Sequence, residues 1–134
     1  MASRPTEPVW LTRVVVDAIH TDQIREHGGL LGLRDENGLE SALTRARHKW
    51  LYERMTDLAS LSAAYGFGLA RNHAYNDGNK RVALVAMLTF LAINGQDLDA
   101  HDDDVLTTML ALAAGRLTEP ELAAWLRTRM VPMK

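Results

Sequence analysis

The feature that most constrains the fold is the run Val82-Ala83-Leu84-Val85-Ala86-Met87-Leu88-Thr89-Phe90-Leu91-Ala92-Ile93, polar only at Thr89. A helix apolar nearly all round offers water no face and must be wrapped in protein. At 12 residues the run is too short for a bilayer, which needs about 20. It therefore reads as the buried pillar of a helical domain, and Asn94-Gly95 behind it is a helix stop. Immediately before it stands His73-Ala74-Tyr75-Asn76-Asp77-Gly78-Asn79-Lys80-Arg81. A polar, glycine-bearing loop that runs into a helix start is a ready anion site, because unpaired N–H groups and the positive end of the helix dipole meet there.

The rest of the chain supplies partners for such a pillar. Trp10, Val14, Val15, Ala18 and Ile19 fit one apolar helix face, with Thr12 as its cap; the alternative of a valine strand lacks the alternation a strand needs. Gly28-Gly29-Leu30-Leu31-Gly32 is a loop. Asp35 to Gly38 reads as a turn before a short helix carrying Leu39, Ala42, Leu43 and Ala46, and Trp50 and Tyr52 are expected to pack. Thr56 or Asp57 caps a helix with Leu58, Leu61, Ala64, Tyr65 and Leu69, whose Ala63, Gly66, Gly68 and Ala70 let another helix lie close. Asp102-Asp103-Asp104 opens a helix with Val105, Leu106, Met109, Leu110 and Leu112, stopped at Gly115. Thr118-Glu119-Pro120-Glu121 is a capping box that opens the last one, with Leu122, Trp125 and Leu126. The expectation is an all-α fold: a single compact domain at 10–130, about six helices around a buried central helix and no strand, preceded by a proline-bearing arm at 1–9.

Composition narrows the function classes. With 134 residues there is room for one domain, and 47% apolar residues suffice for one core. A formal charge of −2 gives no general drive toward nucleic acid or an anionic membrane, so basic residues must act locally. There is no cysteine, which excludes disulfides and thiolate metal sites. The segment Met1 to Thr6 has no apolar signal-peptide core, so a cytoplasmic protein is expected.

Within the loop, each residue has a chemical use. Histidine is the side chain most often used as a general base, and His73 is the natural candidate for that role. Asp77 can hold Mg²⁺ through one oxygen, or cap the helix. Gly78 lets a ligand approach the backbone, and Asn79 can bond that ligand or brace the turn. Lys80 and Arg81 stand in the first turn of a helix, where cations are unfavourable unless an anion occupies the site. Arg71 is within reach of the same cluster, and Tyr75 reads as a core anchor for the loop. A base, a metal ligand, a glycine cradle and two or three cations are the inventory of phosphoryl or nucleotidyl transfer.

The segment His73-x-Tyr75-x-Asp77-Gly78-Asn79-Lys80-Arg81 resembles the motif H-x-F-x-(D/E)-(G/A)-N-(G/K)-R of the Fic/Doc (Fido) family. Lys80, where adenylylating members usually have Gly, is similar to the Doc (death-on-curing) branch. Gly28-Gly29-Leu30, Asp57-Leu58, Ala70-Arg71-x-His73 and Phe90-Leu91-x-x-Asn94-Gly95 extend the likeness over roughly residues 10–127. The resemblance implies a toxin of a toxin–antitoxin system that uses ATP and Mg²⁺ to phosphorylate a threonine of elongation factor Tu and so stops translation. His73 would be the base, and Asp77 the metal ligand. Arg71, Gly78, Asn79, Lys80 and Arg81 would hold phosphates, and Gly28, Gly29 and Gly32 would form the flap that positions the target. Tyr75 replaces the usual Phe, and Val85 stands where some Doc members carry Asn. No (S/T)-x-x-x-E-(G/N) self-inhibitory motif is found, which implies control by a separate Phd-like antitoxin whose disordered tail folds as a helix. The alternatives are AMP transfer, which Lys80 disfavours, and an inactive binding module, which the full motif disfavours. A DNA-binding role is disfavoured by the acidic balance and the lack of a basic recognition helix.

Overall fold

The computed structural model describes residues 5–134; of the expected arm, residues 1–4 lie outside that range. The described residues form six helices and two short strands: α1 (Arg13–His27), α2 (Glu36–Tyr52), α3 (Leu58–Asn72), α4 (Asn79–Ile93), β1 (Gln96–Leu98), α5 (Asp102–Ala113), α6 (Glu119–Arg127) and β2 (Met130–Pro132). This is an all-α fold. None of the described helices is long and apolar enough to cross a membrane.

Helix starts follow local chemistry. Thr12, Asp35, Asp57 and Thr118 each accept a backbone N–H with the side chain, at the starts of α1, α2, α3 and α6. At Thr118 the capping box is complete, since the Glu121 carboxylate accepts the Thr118 N–H in return. The expected turn at 35–38 is the first turn of α2, and α2 continues unbroken to Tyr52. Trp50 is buried within it, but Tyr52, expected to pack, is 78% exposed.

The pillar is α3 rather than α4. Ala59 through Gly66 are all buried, as are Gly68, Leu69 and Ala70, whereas α4 buries only Val82, Ala83, Ala86, Met87, Phe90 and Leu91. Small side chains decide this. A Cβ at Gly66 would stand 2.2 Å from the Met87 sulfur, and one at Gly68 would stand 3.1 Å from the Ala42 Cα. α3 is thus the helix that α2 and α4 approach most closely, and a helix packed so closely on two sides has little surface left for water. Ile93, at the end of α4, is 45% exposed.

α1 presents a different face from the one the valines suggest. Val14 is 77% exposed and Val15 39%, while Val16, His20 and Ile24 are buried. Three consecutive valines fit more than one helical phase, and the phase is set by Leu11 and Trp10 entering the core. Leu11 donates its N–H to the buried Tyr65 hydroxyl, and Trp10 stacks on Phe90. The strands were not expected. β1 pairs antiparallel with β2, Asp97 opposite Val131, and fastens the end of the chain beside α4.

Candidate active site

α3 ends at His73, a non-glycine residue in the left-handed conformation (φ 49°, ψ 46°). Such a residue costs on the order of 1 kcal/mol and more, and is held only where its surroundings enforce it. Here the Arg34 guanidinium donates to the His73 carbonyl at 2.8 Å, and the next residues are sewn to the glycine loop. The Ala74 carbonyl accepts the N–H groups of Arg34 and Asp35, the Asn76 N–H donates to the Gly32 carbonyl, and Leu33 bridges Tyr75. A sharp reversal at His73 therefore carries the chain back along residues 28–35 before α4 begins.

The turn is closed by Asn79. Its amide donates to the Tyr75 carbonyl and accepts the Tyr75 N–H, both at 3.0 Å. Of the two uses the residue offered, bonding the ligand or bracing the turn, the side chain is committed to the brace. Tyr75 is buried, with its hydroxyl donating to Asp17 at 2.7 Å. Burial and the Asp17 carboxylate push its phenol well above the usual tyrosine range.

Asp77 is exposed, and its oxygens are oriented by backbone: Oδ1 accepts the Gly78 N–H at 2.9 Å and Oδ2 accepts the Leu30 N–H at 3.3 Å. It is not the helix cap. That position belongs to Gly78, left-handed at φ 78°, with no side chain bonded to the first turn. α4 therefore begins with open backbone donors, no acid in its first turn and two cations, Lys80 and Arg81. Lys80 has no acidic partner among the described residues. Arg81 donates to the Gly28 carbonyl at 3.2 Å. His73, Asn76, Asp77, Gly78, Asn79, Lys80 and Arg81, with Ala70 and Ala113, line one open cleft of about 430 Å³. The expected base, carboxylate and cations are thus neighbours around one opening.

Arg71 is placed differently from expectation. Its guanidinium lies over the Phe67 ring, 5.4 Å from the centroid, and beside Gly115; it does not line the cleft. Val85, half-buried on α4, does not line it either.

The glycine loop forms one rim. Gly28, Gly29 and Gly32 all have positive φ. A Cβ at Gly29 would stand 2.6 Å from Asp77 Oδ2 and one at Gly32 would stand 2.7 Å from the Asn76 side-chain amide nitrogen, so a larger residue at either position would be strained at its positive φ and would displace the side chain it meets. Leu30 and Leu31 at the tip are 68% and 63% exposed.

One residue at the site escaped the sequence reading. His20, 3% exposed on α1, stacks flat on Tyr75 at 3.8 Å and donates from Nε2 to the Asp77 carbonyl at 2.9 Å. The direction is fixed because a carbonyl only accepts. The signal was present as Val16, His20 and Ile24 at four-residue spacing, but that phase competes with the valines.

Among the described residues no three His, Asp or Glu side chains gather as a metal cage. The exposed Asp77 carboxylate, with lone pairs remaining on both oxygens, fits the way Mg²⁺ is commonly held, by one or two carboxylates together with phosphate oxygens and water.

Comparison with known proteins identifies relatives of the chain. A family model described as Fic/DOC family matches residues 10–91. Protein kinase doc of Escherichia phage P1 is 38% identical over 111 residues, covering 82% of this chain and 86% of the relative. Toxin Doc of Mycolicibacterium smegmatis is 45% identical over 80 residues, 57% of this chain and 59% of that protein. The matched segment includes the glycine loop, the reversal at His73 and the open start of α4, and the chain belongs to the Fic/Doc family.

Proposed function

We propose that this chain is the toxin of a toxin–antitoxin pair and transfers a phosphoryl group from ATP to a threonine hydroxyl of elongation factor Tu, inhibiting translation. The observation that carries the reading is the open first turn of α4, with Lys80 and Arg81 beside it and His73 and Asp77 on the same cleft. Relatives that bear the names protein kinase and toxin support it.

In this reading the target hydroxyl gives its proton to a ring nitrogen of His73 as its oxygen bonds the γ-phosphorus. The bond from that phosphorus to the bridging oxygen breaks, and ADP departs. Among the described residues the exposed imidazole has no hydrogen-bond partner to displace before it acts. The N–H groups of the first turn of α4, with Lys80 and Arg81, bind phosphate oxygens; their fixed orientation supplies positioning and charge neutralisation, on which phosphoryl transfer chiefly depends. Asp77 would hold Mg²⁺, which would supply further charge neutralisation on the phosphates. The loop at 28–32, with Leu30 and Leu31 exposed at its tip, aligns the target segment. A Phd-like antitoxin masks the toxin; Leu106 and Leu110, one turn apart and about half exposed on α5, give an amphipathic helix an apolar face to meet.

The test is mass spectrometry of elongation factor Tu after incubation with the purified chain, ATP and Mg²⁺. Gain of one phosphate on a threonine, absent with His73→Ala, is the expected result. Gain of an adenylyl group would replace phosphoryl transfer by AMP transfer, and an unmodified factor would refute the assigned target.

A further inference from the structure

We infer that His20 is a positioning residue for Asp77, an inference that rests on the function proposed above for this site. Asp77 belongs to a loop whose two neighbours along the chain have other anchors: Asn76 bonds the glycine loop, and Gly78 starts α4. The peptide that carries the Asp77 carbonyl is held by a side chain from α1, 57 residues away, through the His20 Nε2–H at 2.9 Å. The same ring lies on Tyr75 at 3.8 Å and 9°, and Tyr75 is itself fixed by its hydroxyl to Asp17 and by its backbone to Asn79.

His20 therefore ties both ends of the segment Tyr75–Asp77 to α1: one end by stacking, the other by a hydrogen bond. The carboxylate projects from the peptide so held. The Cδ2 of His20 also stands 3.9 Å from the position a Cβ would take at Gly78, so the ring borders the residue that opens α4. At 3% exposure it does not reach the cleft and is not among the residues lining it. It acts through Asp77. A buried group that orients a metal ligand commonly changes metal affinity by about 10–100-fold when removed.

Variants separate the two contacts. His20→Phe keeps a flat ring on Tyr75 and removes the donor. His20→Gln places an amide N–H at about the reach of Nε2, whereas His20→Asn is one carbon shorter. Exchange of the Gly78 and Leu30 amides, both bonded to the Asp77 carboxylate, reads the loop in the unliganded chain. Calorimetric titration with ATP and MgCl₂ reads affinity without turnover, and phosphorylation of elongation factor Tu gives kcat and KM.

The expected result is that His20→Phe and His20→Asn speed exchange of both amides by about tenfold and weaken Mg²⁺-dependent ATP binding by about tenfold. The Mg²⁺ concentration for half-maximal rate rises, KM for the elongation factor is unchanged, and His20→Gln returns each value to within about threefold of wild type. If His20→Phe does not fold, the Asn and Gln pair makes the same comparison. Exchange and Mg²⁺-dependent binding as in wild type for Phe or Asn would overturn the inference. So would loss in all three variants with no rescue by Gln, which would mark the ring as core filling. A wild-type chain that binds ATP with Mg²⁺ yet leaves elongation factor Tu unmodified would refute the proposed target and leave the positioning role to the exchange and binding results.

Discussion

Gly29→Ala tests whether the glycine loop is built around the carboxylate it touches. The added Cβ would stand 2.6 Å from Asp77 Oδ2, where ordinary contact begins at 3.4 Å, so the carboxylate must retreat by about 0.8 Å. Retreat of the alanine itself is opposed by the Ile24 methyl, 3.1 Å away on the buried face of α1. Displacing a reacting group by about 1 Å commonly costs about 100-fold in rate, so Mg²⁺-dependent phosphorylation should fall by tens to about 100-fold. Backbone strain at φ +121° adds about 1–3 kcal/mol. For a domain of this length each kcal/mol is worth about 4 °C, so the melting temperature should fall by about 4–12 °C. Gly95→Ala separates the two effects. Gly95 has φ +85° with nothing within 4 Å, so its variant should lose stability through strain alone and keep full activity. Calorimetric melting and the phosphorylation assay on both variants decide the matter. Wild-type activity in a correctly folded Gly29→Ala would refute the claim that this glycine keeps space for the carboxylate.

His73→Ala should lower transfer by about 100- to 10,000-fold, since it removes the proposed general base, while the exposed imidazole should leave the melting temperature within a degree or two; a rate within tenfold of wild type would assign the base elsewhere. Asp77→Asn should remove the Mg²⁺ dependence of ATP binding, and titration with MgCl₂ at fixed ATP checks this. Gly66→Ala should destabilise by about 1–3 kcal/mol despite alanine's better helix propensity, because its Cβ would overlap the Met87 sulfur at 2.2 Å and Cγ at 2.7 Å; denaturant unfolding reads it, and an unchanged midpoint would refute the close packing of α3 on α4. Alkali should unfold the chain through its buried phenols. Burial pushes Tyr65 up to about 12, and Tyr75 is raised as well. A raised folded pKa gives stability that is full below pH 10 and lost as pH rises through about 12, so denaturant midpoints should fall steadily from about pH 10. Tyr65→Phe should flatten part of that fall.

Much of the molecule was legible because the deciding interactions are local. Thr12 and Thr118 cap as read, and of the pair Thr56 and Asp57 it is Asp57 that caps, since a cap joins groups two or three residues apart. The motif loop was legible for the same reason: an imidazole, a carboxylate, a glycine and two cations lie within nine residues that run into the start of α4. The small residues of α3 also announced close packing, which Gly66 and Gly68 provide.

What sequence alone could not settle depended on partners far along the chain. That α3 and not α4 is the pillar follows from how α2 and α4 share the small-residue surface, which no periodicity within α4 contains. The buried face of α1 was fixed by Leu11, Trp10 and Tyr65 meeting across the core, so Val14 and Val15 turned outward. Asn79 became a brace because its amide reaches both backbone groups of Tyr75, and Arg71 left the cleft because Phe67 and Gly115 offered its guanidinium a surface. His20 became part of the site only when α1 folded against the loop. Local sequence therefore determined the chemical groups and the helix that presents them. Tertiary packing decided which of those groups face the opening, because orientation depends on contacts between residues that the chain alone does not place together.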